Sequence, residues 1–145
     1  MEFIRATARH LEEVYSLLCE LEGEILSKSD FTKIYNANMA NENIHYVLPV
    51  DGGQVIGFGS IHIQGLLHHC ANIGEIQELV IASGRQSDGI GARLFARLKE
   101  IAIENDCLLL EVCCNRVRER SHGFYLKQGM AKSHFKFTCG LEAKK

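Results

Sequence analysis

A chain of 145 residues, 46% apolar and 23% charged, has the composition of one globular domain and is long enough to bury about two thirds of its unfolded surface. A net charge of −2 leaves no basic footprint for nucleic acid, and no apolar run reaches the roughly 18 residues of a membrane span. The N-terminal MEFIRATARH lacks the apolar stretch of a signal peptide, so a cytoplasmic protein is expected, with six cysteines that lack CxxC spacing and read as free, mostly buried thiols.

Residues 2 to 6 form a first strand, and Thr7 caps a helix with Leu11, Val14, Tyr15, Leu18 and Leu21 at helical spacing. Gly23 and SKSD break it, and Asp30 starts a second helix through Phe31, Ile34, Tyr35 and Asn38. From Ile44 the period becomes two. Ile44 to Val50 is a strand, Asp51-Gly52-Gly53 a hairpin turn, and Gln54 to Gln64 the return. Ile56, Phe58, Ser60, His62 and Gln64 share one face of that return. Gly57 and Gly59 lie on the other, where something must pack closely.

Ala71 to Ile81 pairs back as a third antiparallel strand, followed by a polar loop and a helix from about Gly89 to Asn105. The apolar run Leu108 to Cys114 reads as a central strand covered on both faces. A helix over about Arg118 to Gln128 stops at Gly129, and Ala131 to Thr138 makes a last strand. The order predicts an α/β fold: a mixed sheet with helices on both faces, in a single domain spanning 1–145.

The stretch Ile73 to Lys99 organises the rest. A strand bearing Glu75 and Glu78 runs through a loop into a glycine-bracketed helix start, which offers bare backbone N–H groups to a phosphate. Leu94 stands where a dinucleotide fingerprint needs its third glycine, and no lysine follows the glycines as a P-loop requires. In a regular strand residues 75 and 78 point to opposite faces, so both can face one cleft only through a bulge. On the polar wall, His62 and Gln64 share a strand face, His68 and His69 sit in a turn, and His134 and Lys136 share a face of the last strand.

Gln86-Ser87-Asp88-Gly89-Ile90-Gly91 fits the [RQ]xxGx[GA] motif of the GNAT superfamily of N-acetyltransferases, and Asn115, Phe124-Tyr125 and Gly129-Met130 resemble its N…FYxxxGF element. NAN at 36–38, LHH at 67–69, GEIQELV at 74–80, FYL at 124–126 and SHFKFT at 133–138 resemble more narrowly the bacterial aminoalkylphosphonate N-acetyltransferases. Asp88 departs from the pattern with a negative charge in the loop, and Ser121 stands where the wider family often has alanine.

The resemblance implies a sheet splayed between its fourth and fifth strands, 71–81 and 108–114, with acetyl-CoA as co-substrate in the cleft. Backbone amides of Gln86, Ser87, Asp88, Gly89, Ile90, Gly91 and Ala92 would hold the pyrophosphate. The strand edge at Leu79, Val80 and Ile81 would pair with pantetheine, an N–H near Leu79 or Val80 would stabilise the oxyanion, and Asn115 belongs to the same cofactor set. Glu75 is the first choice of general base, Glu78 the second, and Tyr125 the general acid that protonates the departing thiolate.

His62, Gln64, His69, His134 and Lys136 are the expected ligands of the acidic group on the amine. His68 and His69 could also help hold a divalent metal, although no spacing matches a structural zinc site. The expected function is acetyl transfer from acetyl-CoA to a small primary amine, an aminoalkylphosphonate. The alternatives are another amine (polyamine, aminoglycoside or peptide N-terminus) or a non-catalytic acetyl-CoA sensor. Dimers are frequent in the resembling family, so a homodimer is compatible with the reading; a nucleic-acid or membrane partner is not expected.

Overall fold

The computed structural model describes residues 1–142, which fall into two compact units, Met1–Val112 and the segment from Cys113 onward. In the first unit the strands are β1 (Glu2–Arg5), β2 (Ile44–Asp51), β3 (Gln54–Val55), β4 (Gly57–Leu66), β5 (Ala71–Ile81) and β6 (Cys107–Val112). Its helices are α1 (Leu11–Glu22), α2 (Lys28–Met39) and α3 (Ile90–Glu104). The sheet runs β1-β2-β4-β5-β6, with β3 on β2. Its ladders are antiparallel except β5–β6, which is parallel across the α3 crossover.

Local chemistry sets the boundaries. Thr7 opens not α1 but a single tight turn, Ala8–His10, with its N–H donating to His10 Nδ1 at 3.0 Å, and α1 follows at Leu11. Ser27, rather than the expected Asp30, caps α2 by accepting the Asp30 N–H at 3.4 Å, which leaves Asp30 in the favourable first turn. Gly52 and Gly53 take φ of 57° and 79°, the left-handed pair that a tight hairpin needs.

The two faces of β4 carry the two halves of the core. Phe58 faces α1 and α2 and packs with Val14, Leu17, Tyr35, Tyr46, Leu48 and Val80. On the opposite face Gly59 lets α3 come close: a Cβ there would sit 3.1 Å from the Leu94 and Leu98 methyls. The expected close approach over the glycines is therefore α3 at Gly59, and the Val80 carbonyl oxygen, Pro49 and Ile81 at Gly57.

Several expectations need correction. β6 is the sheet edge rather than a covered central strand, and Leu108 is 61% exposed. An apolar run states that a strand avoids water on average, not how many neighbours it has. Among its described residues the second unit holds one helix, α4 (Glu119–Lys127), with Gly129 at φ 92° after it. The expected last strand Ala131–Thr138 is not formed, and Phe135 and Phe137 are 88% and 92% exposed. Alternation defines two faces, but a strand also needs a ladder partner, and none of the described residues supplies one. All six cysteines are free as expected, yet none is fully buried. No helix among the described residues is long and apolar enough to cross a membrane.

Two outcomes are expected of this packing. A Cβ on Gly57 would lie 2.7 Å from the Val80 carbonyl oxygen, so Gly57→Ala should cost about 1–3 kcal/mol in a urea unfolding curve. His45 has its pKa lowered by burial and by Arg5, and its Nε2 has no hydrogen-bond partner among the described residues. The unfolded chain then binds this proton more readily, so stability present above about pH 6.5 is lost as pH falls below it. The loss of urea midpoint between pH 7.5 and 5.5 should be smaller in His45→Leu than in the wild type.

Candidate active site

The register of β4 against β5 contains one irregularity. Ser60 faces Glu78 and Ile61 faces Ile76, so Gln77 is an extra residue on β5. This bulge supplies the condition that the spacing of the glutamates required. Glu78 faces Ser60 and Glu75 faces His62, and residues 60 and 62 share a strand face, so both carboxylates stand on one side of the sheet. Two rows cross three strands there: Tyr46–Ser60–Glu78 and Ile44–His62–Glu75.

Above the first row lies a cleft of about 460 Å³, walled by α1, α2 and the sheet. Its apolar side is Val14, Leu18, Leu26, Phe31, Ile34 and Phe58, and its polar side is Asn38, Tyr35, Tyr46, His62, Gln77 and Glu78, with Glu22 and Glu24 also in the lining. Asn38 Nδ2 donates to Tyr46 Oη at 2.7 Å, and Tyr35 Oη donates to the Thr7 carbonyl at 2.7 Å. Burial, opposed by the Asn38 bond and reinforced by the Glu78 charge, raises the Tyr46 phenol. Burial, with lesser contributions from Tyr46 and Glu13, pushes Tyr35 up to about 12. Both phenols therefore stay neutral donors at physiological pH.

Glu78 is held firmly: its Oε1 accepts the Ser60 hydroxyl, and its N–H donates to Ser60 Oγ at 3.0 Å. Glu75 does not line the cleft, and its Oε1 accepts Gln77 Nε2 at 2.8 Å. Of the residues expected to bind the acceptor, His62 lines the cleft. Gln64 lies exposed further along β4, and His69 sits in the short turn after it, its ring 4.2 Å from that of His68. His134 and Lys136 are exposed residues of the second unit, with His134 Nδ1 2.6 Å from Ser133 Oγ. No group of three His, Cys, Asp or Glu side chains able to hold a metal exists among the described residues.

The β5–β6 ladder ends at Ile76↔Val112, immediately before the bulge, while β5 continues to Ile81. From Gln77 through Leu79, Val80 and Ile81, β5 therefore has a strand partner on its β4 side only. The loop that follows is tied down at both ends. The Ser83 hydroxyl and N–H both donate to Glu20 Oε1, and Gln86 Nε2 donates to the Ile81 carbonyl at 3.3 Å. Gly89, with φ 74° and no side chain to cap with, starts α3, so the first-turn N–H groups through Gly91 and Ala92 have neither intrahelical nor side-chain acceptors among the described residues. Ser87 is exposed here, and Ile90 is a core side chain whose contribution to a ligand would be its N–H.

The unusual charge of Asp88 is compensated. Arg85 Nε donates to it at 3.1 Å, and Arg85 Nη2 donates to Asp51 at 2.8 Å, holding the Asp51 carboxyl below the ordinary range.

In the second unit Asn115 Oδ1 accepts the Val117 N–H at 3.1 Å, and its carbonyl accepts from the Arg118 N–H and His122 Nε2, which shapes the approach to α4. Tyr125 lies on α4 with its ring centroid 5.2 Å from that of Phe124, and burial with the nearby Cys114 pushes its phenol up to about 12.

Sequence reasoning missed Ser60, Tyr46, Gln77 and Arg85. The one signal for Ser60 was a small hydroxyl on the face it shares with Ile56 and Phe58.

The fold is that of an acetyltransferase. An aminoglycoside antibiotic 6'-N-acetyltransferase from Acinetobacter haemolyticus superposes with a TM-score of 0.86 over 99% of this chain and 100% of that one; at 13% identity the likeness is of fold alone. Sequence narrows the class. The Acetyltransferase (GNAT) family profile matches residues 11–130, and the chain belongs to that family. It is 39% identical to the aminoalkylphosphonate N-acetyltransferase of Salmonella typhimurium over 97% of this chain and 91% of that protein. It is 32% identical to the glucosamine 6-phosphate N-acetyltransferase of Candida albicans over 81% of this chain and 78% of that protein. The protein is thus an N-acetyltransferase, and enzymes of this family use acetyl-CoA as co-substrate.

Arg85→Met would leave the Asp88 charge uncompensated beside the helix start. It should raise KM for acetyl-CoA by roughly 3- to 10-fold, with kcat little changed in steady-state assays.

Proposed function

We propose that the two units act together as one N-acetyltransferase domain that transfers the acetyl group of acetyl-CoA to the primary amine of a small aminoalkylphosphonate. The reading is supported by the family match, which spans residues of both units, and by the two relatives, whose names each pair an amine with a phosphorus oxyanion. The observation that carries it is the bulge-aligned carboxylate Glu78, pinned by Ser60 in a cleft large enough for a small amine.

An alkylamine with a pKa of about 10.4 is almost wholly ammonium at pH 7, so deprotonation costs near 5 kcal/mol before the nitrogen can attack. Glu78, rather than the first-choice Glu75, takes that proton directly or through one water, because Glu78 faces the cleft and Glu75 does not line it. The nitrogen lone pair then attacks the thioester carbonyl carbon; the C–N bond forms, the C–S bond breaks, the nitrogen sheds its second proton to water as the neutral amide forms, and the thiolate leaves to be protonated in turn. The N–H groups of α3's first turn and the free edge of β5 are the candidates for the pyrophosphate and pantetheine.

Tyr125 serves as the donor to the departing sulfur. Full proton transfer from a phenol at about 12 to a thiolate near 8.5 runs about 3.5 units, or near 5 kcal/mol, uphill. Most of its effect is therefore a hydrogen bond to the sulfur as charge develops.

A second reading, a polyamine or aminoglycoside acceptor, is favoured by the cleft itself. Glu22, Glu24 and Glu78 line it, and no described lysine or arginine does. CoA release measured side by side with aminomethylphosphonate, spermidine and a peptide decides between them. Turnover of the phosphonate with the highest kcat/KM is expected; turnover of spermidine alone would replace it with the polyamine reading.

Glu78→Gln should lower kcat by about 10²- to 10⁴-fold, and Tyr125→Phe by less. Because the Tyr125 phenol lies near 12, the wild-type kcat profile should show no descending tyrosine limb below about pH 11.

A further inference from the structure

Ser60 is the buried polar residue of the core, 0% exposed in the centre of β4 between Gly59 and Ile61. A hydroxyl in that position survives only if both its donor and its acceptor capacity are used. Both are used, and by one residue. Its O–H donates to Glu78 Oε1, and its oxygen accepts the Glu78 N–H at 3.0 Å.

The second bond lies where the ladder is interrupted. Gln77 is the extra residue, and the amide after it, that of Glu78, donates to a side chain at the point where the register shifts. The Ser60 hydroxyl accepts that bond, and the same oxygen's proton is directed back onto the carboxylate of the residue whose amide it receives. One side chain thus fixes the backbone and the side chain of Glu78 together, on the face shared with Tyr46 and His62. Alanine would break both bonds at once; an apolar β-strand residue could fill the space but could neither donate nor accept.

We infer that Ser60 is the positioning residue of the acetyl transfer: it locks the Gln77 bulge and aims the Glu78 carboxylate into the acceptor cleft. The inference rests on the reading of Glu78 as the base. Ser60 itself touches no substrate, so its loss acts on kcat and leaves the binding of acetyl-CoA unchanged.

The test uses the full chain with aminomethylphosphonate and spermidine as acceptors, each at saturation. Ser60→Ala should lower kcat roughly 100-fold, the effect of a catalytic group displaced by about 1 Å, with KM for acetyl-CoA unchanged. Ser60→Cys fills nearly the same space with a weak donor, so it keeps the fold even where alanine does not, and it should show the same kcat loss at a near-wild-type melting temperature. Ser60→Thr keeps the hydroxyl and should recover most of the rate. In a Glu78→Gln background Ser60→Cys should add no further loss.

Two results overturn the inference alone: Ser60→Cys at wild-type kcat while Glu78→Gln is inactive, or losses that multiply in the double variant. Full activity of Glu78→Gln overturns the base assignment itself, and no turnover of either amine overturns the proposed function; both outcomes are distinct from those of the serine variants.

Discussion

The bulge at Gln77 is the constraint on which the rest of the site depends. Without an extra residue there, the three-residue spacing of Glu75 and Glu78 would put one carboxylate under α3 and the other beneath the cleft. With it, Glu78 and Glu75 stand on the face of Ser60 and His62, and α3 packs undisturbed on Gly59 behind them. The bulge also coincides with the end of the β5–β6 ladder at Ile76, as expected of a feature that bends its strand and increases local twist. One irregularity therefore sets out the carboxylates on one face and frees the strand edge from Gln77 onward.

Around that irregularity the chemistry divides by strand. β5 carries Glu78 before its end and leads straight into the loop that starts α3, so that carboxylate and the N–H groups of the helix start are consecutive features of one segment. β2 and β4 contribute Tyr46, Ser60 and His62, and α2 contributes Asn38, which holds the Tyr46 phenol. Burial keeps Tyr35 and Tyr46 neutral, and the other ionisable groups lining the cleft are carboxylates and His62. The loop retains an acidic residue because Arg85 neutralises it, and Arg85 is itself held by Asp51 at the β2 hairpin.

Much of this was legible in the sequence because it is written in periodicity. The change from helical to two-residue spacing at Ile44, the Gly52-Gly53 turn, the 71–81 strand and the glycine-started helix all reappear within a residue or two. The pair of glycines in β4 correctly announced a close neighbour. What was not legible depends on partners. The alternation of residues 131–138 could not reveal that no ladder forms, and the apolar run at 108–114 could not reveal an edge. The need for a bulge followed from the positions of two glutamates, but its location at Gln77 followed only from the register, and the hydroxyl that holds it is a single serine in an otherwise apolar strand. Asp88 looked like a departure because its partner, Arg85, is recognised by geometry rather than by motif.

The most direct measurement is the crystal structure of the enzyme with CoA and aminomethylphosphonate bound. With Glu78 as the base, the amine nitrogen is expected in the cleft within about 3 Å of a Glu78 oxygen, or one water away from it, while Ser60 still holds that carboxylate. An amine seated against Glu75, or outside the cleft beneath α1 and α2, would contradict it.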